Sequence, residues 1–301
     1  MKKTAWLFPG QGSQAIGMVQ DLETLPNAQP VFEQAAEILG WSVLQACQEE
    51  EKLSQTLYTQ PCLYVVESLL ATEIQNRGYE PVIVAGHSLG EYVALQVAGV
   101  FDFETGLRLV RQRAELMQQA SGGQMAALIG FDRDALDQQI QTIDNVVLAN
   151  DNSSAQVVIS GTPEAIDTVL ANVKTKRAVK LNVSGAFHSP MMADAAAQFE
   201  QILAQVPFTE ARFPILSNVE PTGTTDAAVL KQRLIQQMTG SVRWRETCLE
   251  LANQGVEQVV EVGPGKVLTG LVKRTCSGIE LANISQVAQI AEVFPTLAVS
   301  G

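Results

Sequence analysis

Four consecutive apolar residues, Val82 to Ala85, run straight into Gly86-His87-Ser88-Leu89-Gly90-Glu91-Tyr92, and the stretch Val93 to Ala98 behind them reads as helix. So short and unbroken an apolar run suits a central parallel strand buried on both faces. Strand, tight turn and helix in that order is the context that gives a GxSxG pentapeptide meaning. Glycines on both flanks let the backbone turn sharply enough to lift the Ser88 hydroxyl above the sheet. The helix behind it aims N–H groups and a positive dipole at the same point, so an oxyanion formed there would meet the backbone N–H of Leu89. An ordinary glycine-rich turn between strand and helix is the plainer alternative.

The rest of the chain supports an α/β architecture. Ala5 to Phe8 reads as a buried strand entering the turn Gly10-Gln11-Gly12. Pro61 fits the first turn of a helix whose apolar positions Leu63, Val66, Leu70 and Ile74 recur at helical spacing until Gly78. From Gln124 the rhythm changes. Residues 126–131, 146–149, 156–160 and 178–183 read as strands, with helices over 134–143 and, behind Thr162 and Pro163, to Val173. That βαββαβ order is ferredoxin-like. The expected organisation is an α/β hydrolase-like core with a mostly parallel sheet, residues 1–123 and 185–301, carrying an inserted ferredoxin-like subdomain over 124–184. The core resumes with a strand over 258–262, the loop GPGK and a helix from Val267.

Composition excludes several functions. With 46% apolar and 17% charged residues in 301, the chain has material for a buried core. Twenty Lys and Arg against 32 Asp and Glu give a net charge of −12, the wrong sign for coating nucleic acid. No apolar run reaches the roughly 18 residues of a membrane span, and the apolar start stops at Phe8, too short for a signal peptide. A cytoplasmic protein with no membrane partner is expected. Cys47, Cys62, Cys248 and Cys276 are scattered without a CxxC pair, as reduced thiols rather than a metal site. Two further motifs fail: GQGSQA lacks the acidic strand end of a dinucleotide site, and GPGK lacks the spacing of a phosphate loop.

A serine nucleophile needs a base, and the chain has two histidines. His87 adjoins Ser88, so on a sharp elbow its ring should point away. His188, in Gly-Ala-Phe-His-Ser-Pro, is the better base, and an unperturbed imidazole predicts acylation rising with pH through about 6 to 7. Arg113 lies in a helix over 103–119, three or four positions from Leu109, Val110, Leu116 and Met117. It faces inward among apolar neighbours, where its fork needs an anion. A buried salt bridge to Glu91 and a grip on a substrate carboxylate both meet that need.

GHSLGEY, taken with FPGQGSQ, GAFHS and EVGPGKVLTGL, makes the whole chain resemble the malonyl-CoA:acyl carrier protein transacylases, the acyltransferases of fatty-acid and polyketide synthesis. The resemblance implies a covalent serine ester, formed on Ser88 with His188 as base and passed by a ping-pong sequence to the phosphopantetheine thiol of acyl carrier protein. It implies Gln11 beside Leu89 in the oxyanion hole, and a main-chain carbonyl, at Gln237, orienting His188. Arg113 would hold the malonyl carboxylate with His87 as a secondary contact. No cofactor or metal is implied, since the coenzyme A thioester is substrate. An acidic carrier protein would need a basic landing site, for which Lys174, Lys176, Arg177, Lys180, Lys273 and Arg274 are candidates or else plain solvated surface. A serine hydrolase and an idle docking subunit are the rival readings.

Overall fold

The structure, a computed structural model, describes residues 2–295. Its strands are β1 (Thr4–Phe8), β2 (Ile83–Gly86), β3 (Gln124–Phe131), β4 (Val146–Ser153), β5 (Gln156–Gly161), β6 (Thr175–Lys180), β7 (Ile215–Leu216), β8 (Gln258–Val262) and β9 (Glu280–Ile284). Five form a parallel sheet in the order β7-β2-β1-β8-β9, and four an antiparallel sheet in the order β4-β5-β3-β6.

Every residue of β1 and β2 is buried, because helices cover both faces of the parallel sheet. The helix Thr56–Asn76 packs on the helices Gly90–Val97 and Phe103–Gln119 and reaches β8, apolar nearly all round and buried along most of its length. Pro61 lies inside it rather than in its first turn. The extra turn survives because Thr59 Oγ1 donates to the carbonyls of Leu53 and Gln55, anchoring a segment whose helical pattern is masked by polar residues. Gly78, at φ 85°, ends the helix in a left-handed turn, with its N–H on Gln75 O at 2.8 Å. Strand β2 starts one residue later than the apolar run, since Val82 is exposed.

Register places Phe8 beside Gly86 and Leu7 beside Glu261, so β1, β2 and β8 end level with one another. The loops after them therefore meet outside the carboxyl ends of the strands, where open α/β sheets bind ligands. Glu261 accepts the backbone N–H groups of Leu268 and Thr269 at 3.0 and 2.8 Å, pinning the start of the helix Val267–Thr275. Nearby Glu67 is buried with neither carboxylate oxygen bonded among the described residues, and burial, then the Glu261 charge, pushes its carboxyl well above the usual range.

The antiparallel sheet buries Leu128 and Ile159 against Leu136 of the helix Arg133–Thr142 and Ile166 of the helix Pro163–Asn172. Each such side chain contributes about 1.5–3 kcal/mol over an exposed one. Its last strand is Thr175–Lys180, not 178–183, and is largely exposed. As an edge strand it pairs through its backbone with β3 and needs no apolar alternation, so the apolar residues after it misplaced it by three positions. Strand β4 is tied to the parallel-sheet side by Asp151 N–H on Val242 O at 2.9 Å and by Asp151 accepting from Arg245 at 3.1 Å, while Arg133 holds the same carboxylate from within the antiparallel unit at 3.1 Å.

Candidate active site

Ser88 sits in the left-handed region at φ 51°, a conformation costing a non-glycine residue about 1–3 kcal/mol unless its surroundings enforce it. Two glycines make room. A Cβ on Gly86 would lie 1.9 Å from the Gly90 carbonyl, and one on Gly90 would lie 2.0 Å from Phe8 O. Asn218 then clamps the turn: its Oδ1 accepts the Ser88 N–H at 2.7 Å and its Nδ2 donates to Gly86 O at 2.6 Å. The parallel ladder of β2 with β7 stops at Ala85 and Leu216, and this side-chain amide continues it where the backbone departs. Among the described residues, the backbone N–H groups of Leu89 and Gln11 have no acceptor. The Gln11 side chain is turned to Thr56 Oγ1 at 3.1 Å, which leaves its main-chain N–H as the group available to an oxyanion.

Ser88 Oγ lies 2.8 Å from His188 Nε2. On the other side of the ring, Nδ1 faces Gln237 O at 2.9 Å and Gly240 O at 3.2 Å. Carbonyls only accept, so Nδ1 carries the proton and Nε2 is free to take one from Ser88. The loop holding His188 is also left-handed there, at φ 56°, and Ser189 Oγ braces it by donating to Ala186 O at 2.6 Å. Burial, then the nearby Arg113 charge, pushes His188 down to about 3. A ring so lowered is already unprotonated at pH 6 to 7, so the expectation of acylation rising there gives way to one of a flat profile.

Arg113 is fully buried. Its Nη1 donates to Gln60 Oε1 at 2.8 Å, and its Nη2 donates to Ser88 Oγ at 2.9 Å and Gln237 Oε1 at 3.1 Å. The guanidinium also lies 5.4 Å from the Tyr92 ring centre, and its Nε has no partner. The alternative salt bridge is not made: Glu91 Oε2 instead accepts from Asn218 N–H at 3.1 Å and Gln237 Nε2 at 2.8 Å. A buried cation beside a nucleophile, with donors left over and no carboxylate on it, is suited to receive an anion. His87 points elsewhere. Its Nε2 meets Asn152 Oδ1 at 2.9 Å and its ring packs on Trp244, with burial lowering its pKa. Among the described residues it makes no hydrogen bond to Ser88 or Arg113.

Gln60, Asn152 and Asn218 are the site residues that sequence reading missed. Each is a single amide from a different segment, and nothing in the spacing marks it.

Lys174, Lys176, Arg177, Lys180, Lys273 and Arg274 are all exposed. Lys180 is taken up by Asp167, 2.5 Å away. Arg274 Nη1 reaches Gln156 Oε1 at 3.1 Å, and Gln156 pairs with Ile129, which pairs with Arg177. Arg177 and Arg274 thus flank one end of the antiparallel sheet. That end also carries Ser153 and its neighbour Asn152. Among the described residues, no group of three or more His, Cys, Asp or Glu could hold a metal, and no helix is long and apolar enough to cross a membrane.

Comparison with known proteins places this geometry. Residues 5–297 match the family model described as the acyl transferase domain. A malonyl CoA-acyl carrier protein transacylase of Synechocystis is 57% identical over 94% of this chain and 97% of its own length. The crystal structure of Synechocystis malonyl-CoA:ACP transacylase superposes with a TM-score of 0.95 at 56% identity, covering 96% of this chain and 99% of the other. A malonyl-transacylase in complex with a holo type II polyketide synthase acyl-carrier protein gives a TM-score of 0.91 at 36% identity, covering 98% and 99%. The chain therefore belongs to the acyl transferase domain family, among its malonyl-CoA:acyl carrier protein transacylases.

Proposed function

We propose that Ser88, His188 and Arg113 are the residues with which this chain transfers malonyl from malonyl-CoA to acyl carrier protein, in two half-reactions joined by an ester on Ser88. Ser88 Oγ attacks the thioester carbonyl as its proton passes to His188 Nε2. The tetrahedral oxyanion is met by the Leu89 and Gln11 N–H groups. Collapse expels the coenzyme A sulfur, which takes the proton from His188. In the second half-reaction the phosphopantetheine thiol gives its proton to His188, its sulfur attacks the ester, and Ser88 recovers its hydrogen. Gln237 O keeps the imidazole in the required tautomer throughout. A thioester is an easier acyl donor than an amide, so a dyad without an aspartate suffices.

The observation that carries this reading is Arg113: fully buried, bonded to no carboxylate among the described residues, and 2.9 Å from the nucleophile. It supports a carboxylate-bearing acyl group, and the expected secondary contact from His87 is not part of this reading, because that ring is held by Asn152 and Trp244. The chemistry needs no cofactor and no metal, and a cytoplasmic setting fits the reduced thiols. The same reading divides the chain into a catalytic core, residues 1–123 and 185–301, and a subdomain over 124–184. Carrier protein would dock on Lys174, Lys176, Arg177, Lys273 and Arg274, with Lys180 held back by Asp167. Intact-mass measurement after malonyl-CoA is the test. Wild type should gain one malonyl group that added carrier protein removes, and Ser88→Ala should gain none while keeping its circular dichroism. Full malonylation of Ser88→Ala would refute the assignment.

A further inference from the structure

Arg113 makes a bond that a substrate clamp does not require. Its Nη2 donates to Ser88 Oγ at 2.9 Å, while the same oxygen faces His188 Nε2 at 2.8 Å. The hydroxyl proton serves His188, so the arginine holds an Oγ lone pair, which is what an acyl carbon must receive. Two glutamine amides, Gln60 and Gln237, fix the guanidinium, and among the described residues no carboxylate hydrogen-bonds it. A cation so close also opposes the arrival of a proton on His188, and it is the second cause, after burial, of that ring's weak basicity.

Building on the malonyl reading above, we propose that Arg113 is also a substrate-released restraint on the nucleophile: without an acyl carboxylate to hold, its guanidinium occupies Ser88 Oγ, and a malonyl carboxylate frees Ser88 by drawing the guanidinium to itself. Neutralising the cation also lets His188 accept the proton. A dicarboxylic acyl group therefore gains in the chemical step as well as in binding. A neutral acyl group enters the same site and leaves the restraint in place.

Splitting the substrate tests this. Acetyl-CoA lacks the carboxylate, and formate supplies one small enough to sit beside an acetyl group. In acetylation the bond from Ser88 Oγ to the carbonyl carbon forms and the carbon–sulfur bond breaks. The Oγ proton travels through His188 to the departing sulfur, and formate is not consumed. Single-turnover acetylation, followed by intact mass, should rise on the order of tenfold with formate in wild type, and chloride at equal ionic strength should not reproduce the rise. Arg113→Ala should acetylate faster than wild type without formate and ignore formate when added. A wild type indifferent to formate overturns the restraint, as does an equal formate response in Arg113→Ala. The wild-type series needs no variant, so a misfolded Arg113→Ala cannot hide the answer. An acetyl adduct that survives Ser88→Ala would instead overturn the ester reading itself.

Discussion

The two sheets of this protein face opposite demands. The parallel sheet is covered on both faces and its strands β1 and β2 expose nothing, whereas the antiparallel sheet covers one face with helices and leaves its edge strand β6 mostly in solvent. A doubly covered sheet fixes where its strands end, so the turn beyond β2 can hold Ser88 in a left-handed conformation that a looser frame would relax. An exposed edge strand fixes little beyond its backbone pairing, but it can display charge to a partner. Reaction geometry sits at the rigid ends, and the candidate landing site sits at the open edge.

The sharpest break of that comparison is at His188. His188→Ala should slow Ser88 acylation by several orders of magnitude, as removal of the base does in serine enzymes. Because burial and Arg113 hold the ring at about 3, labelling of Ser88 by a neutral fluorophosphonate should be flat from pH 5 to 8. A rise across pH 6 to 7 would mean that the site is wetter than the covered sheet implies.

Arg113→Ala comes next. It should lower kcat/KM for malonyl-CoA by roughly 30-fold to several thousand-fold, the range for leaving one member of a buried charge pair alone. Acetyl-CoA should react faster, so equal losses with both would make Arg113 structural. At the open edge, reversing Lys176 and Arg177 to Glu should weaken transfer to carrier protein by about threefold to tenfold and flatten its salt dependence. Malonylation of Ser88 should be untouched; if it fell as much, the edge would not be a separate surface.

The smallest effect concerns the acids that each sheet buries. Asp151 of β4 has two arginine partners, whereas Glu67, packed behind the parallel sheet, has none. The folded state keeps the Glu67 proton to higher pH than the unfolded chain does, so stability falls as pH rises from the ordinary carboxylate range toward the raised folded value. Glu67→Gln should therefore raise Tm by a few degrees at pH 8 and by less at pH 5. A gain independent of pH would show that the carboxyl is not protonated in the fold.

How much of this was legible in the sequence follows from the same contrast. The elbow at Ser88 could be read because glycine, serine and a buried strand each leave a local mark, and Arg113 because one cation interrupts an apolar helical stripe. His188 was legible through scarcity alone. Strand β6 was misplaced because an edge strand exposes its side chains, and Pro61 because its helix starts on buried polar residues. Asn218, Gln60 and Asn152 left no trace: what they supply is an amide at a place that only the folded chain creates. The depressed basicity of His188 was equally hidden, since it depends first on burial and then on Arg113, 75 positions away in sequence.

Gln237 touches every one of the catalytic partners at once, with its main-chain oxygen on His188, its Nε2 on Ser88 O, and its Oε1 on Arg113. Substitutions at these positions share that residue and so lie well inside the distance at which mutational effects stop adding, with couplings of about 0.5–3 kcal/mol. Acyl preference in this protein is thus an epistatic trait. A chain drifting toward a neutral substrate through Arg113 alone strands the Gln237 Oε1 that Arg113 held, so the value of that first change depends on what Gln237 becomes next.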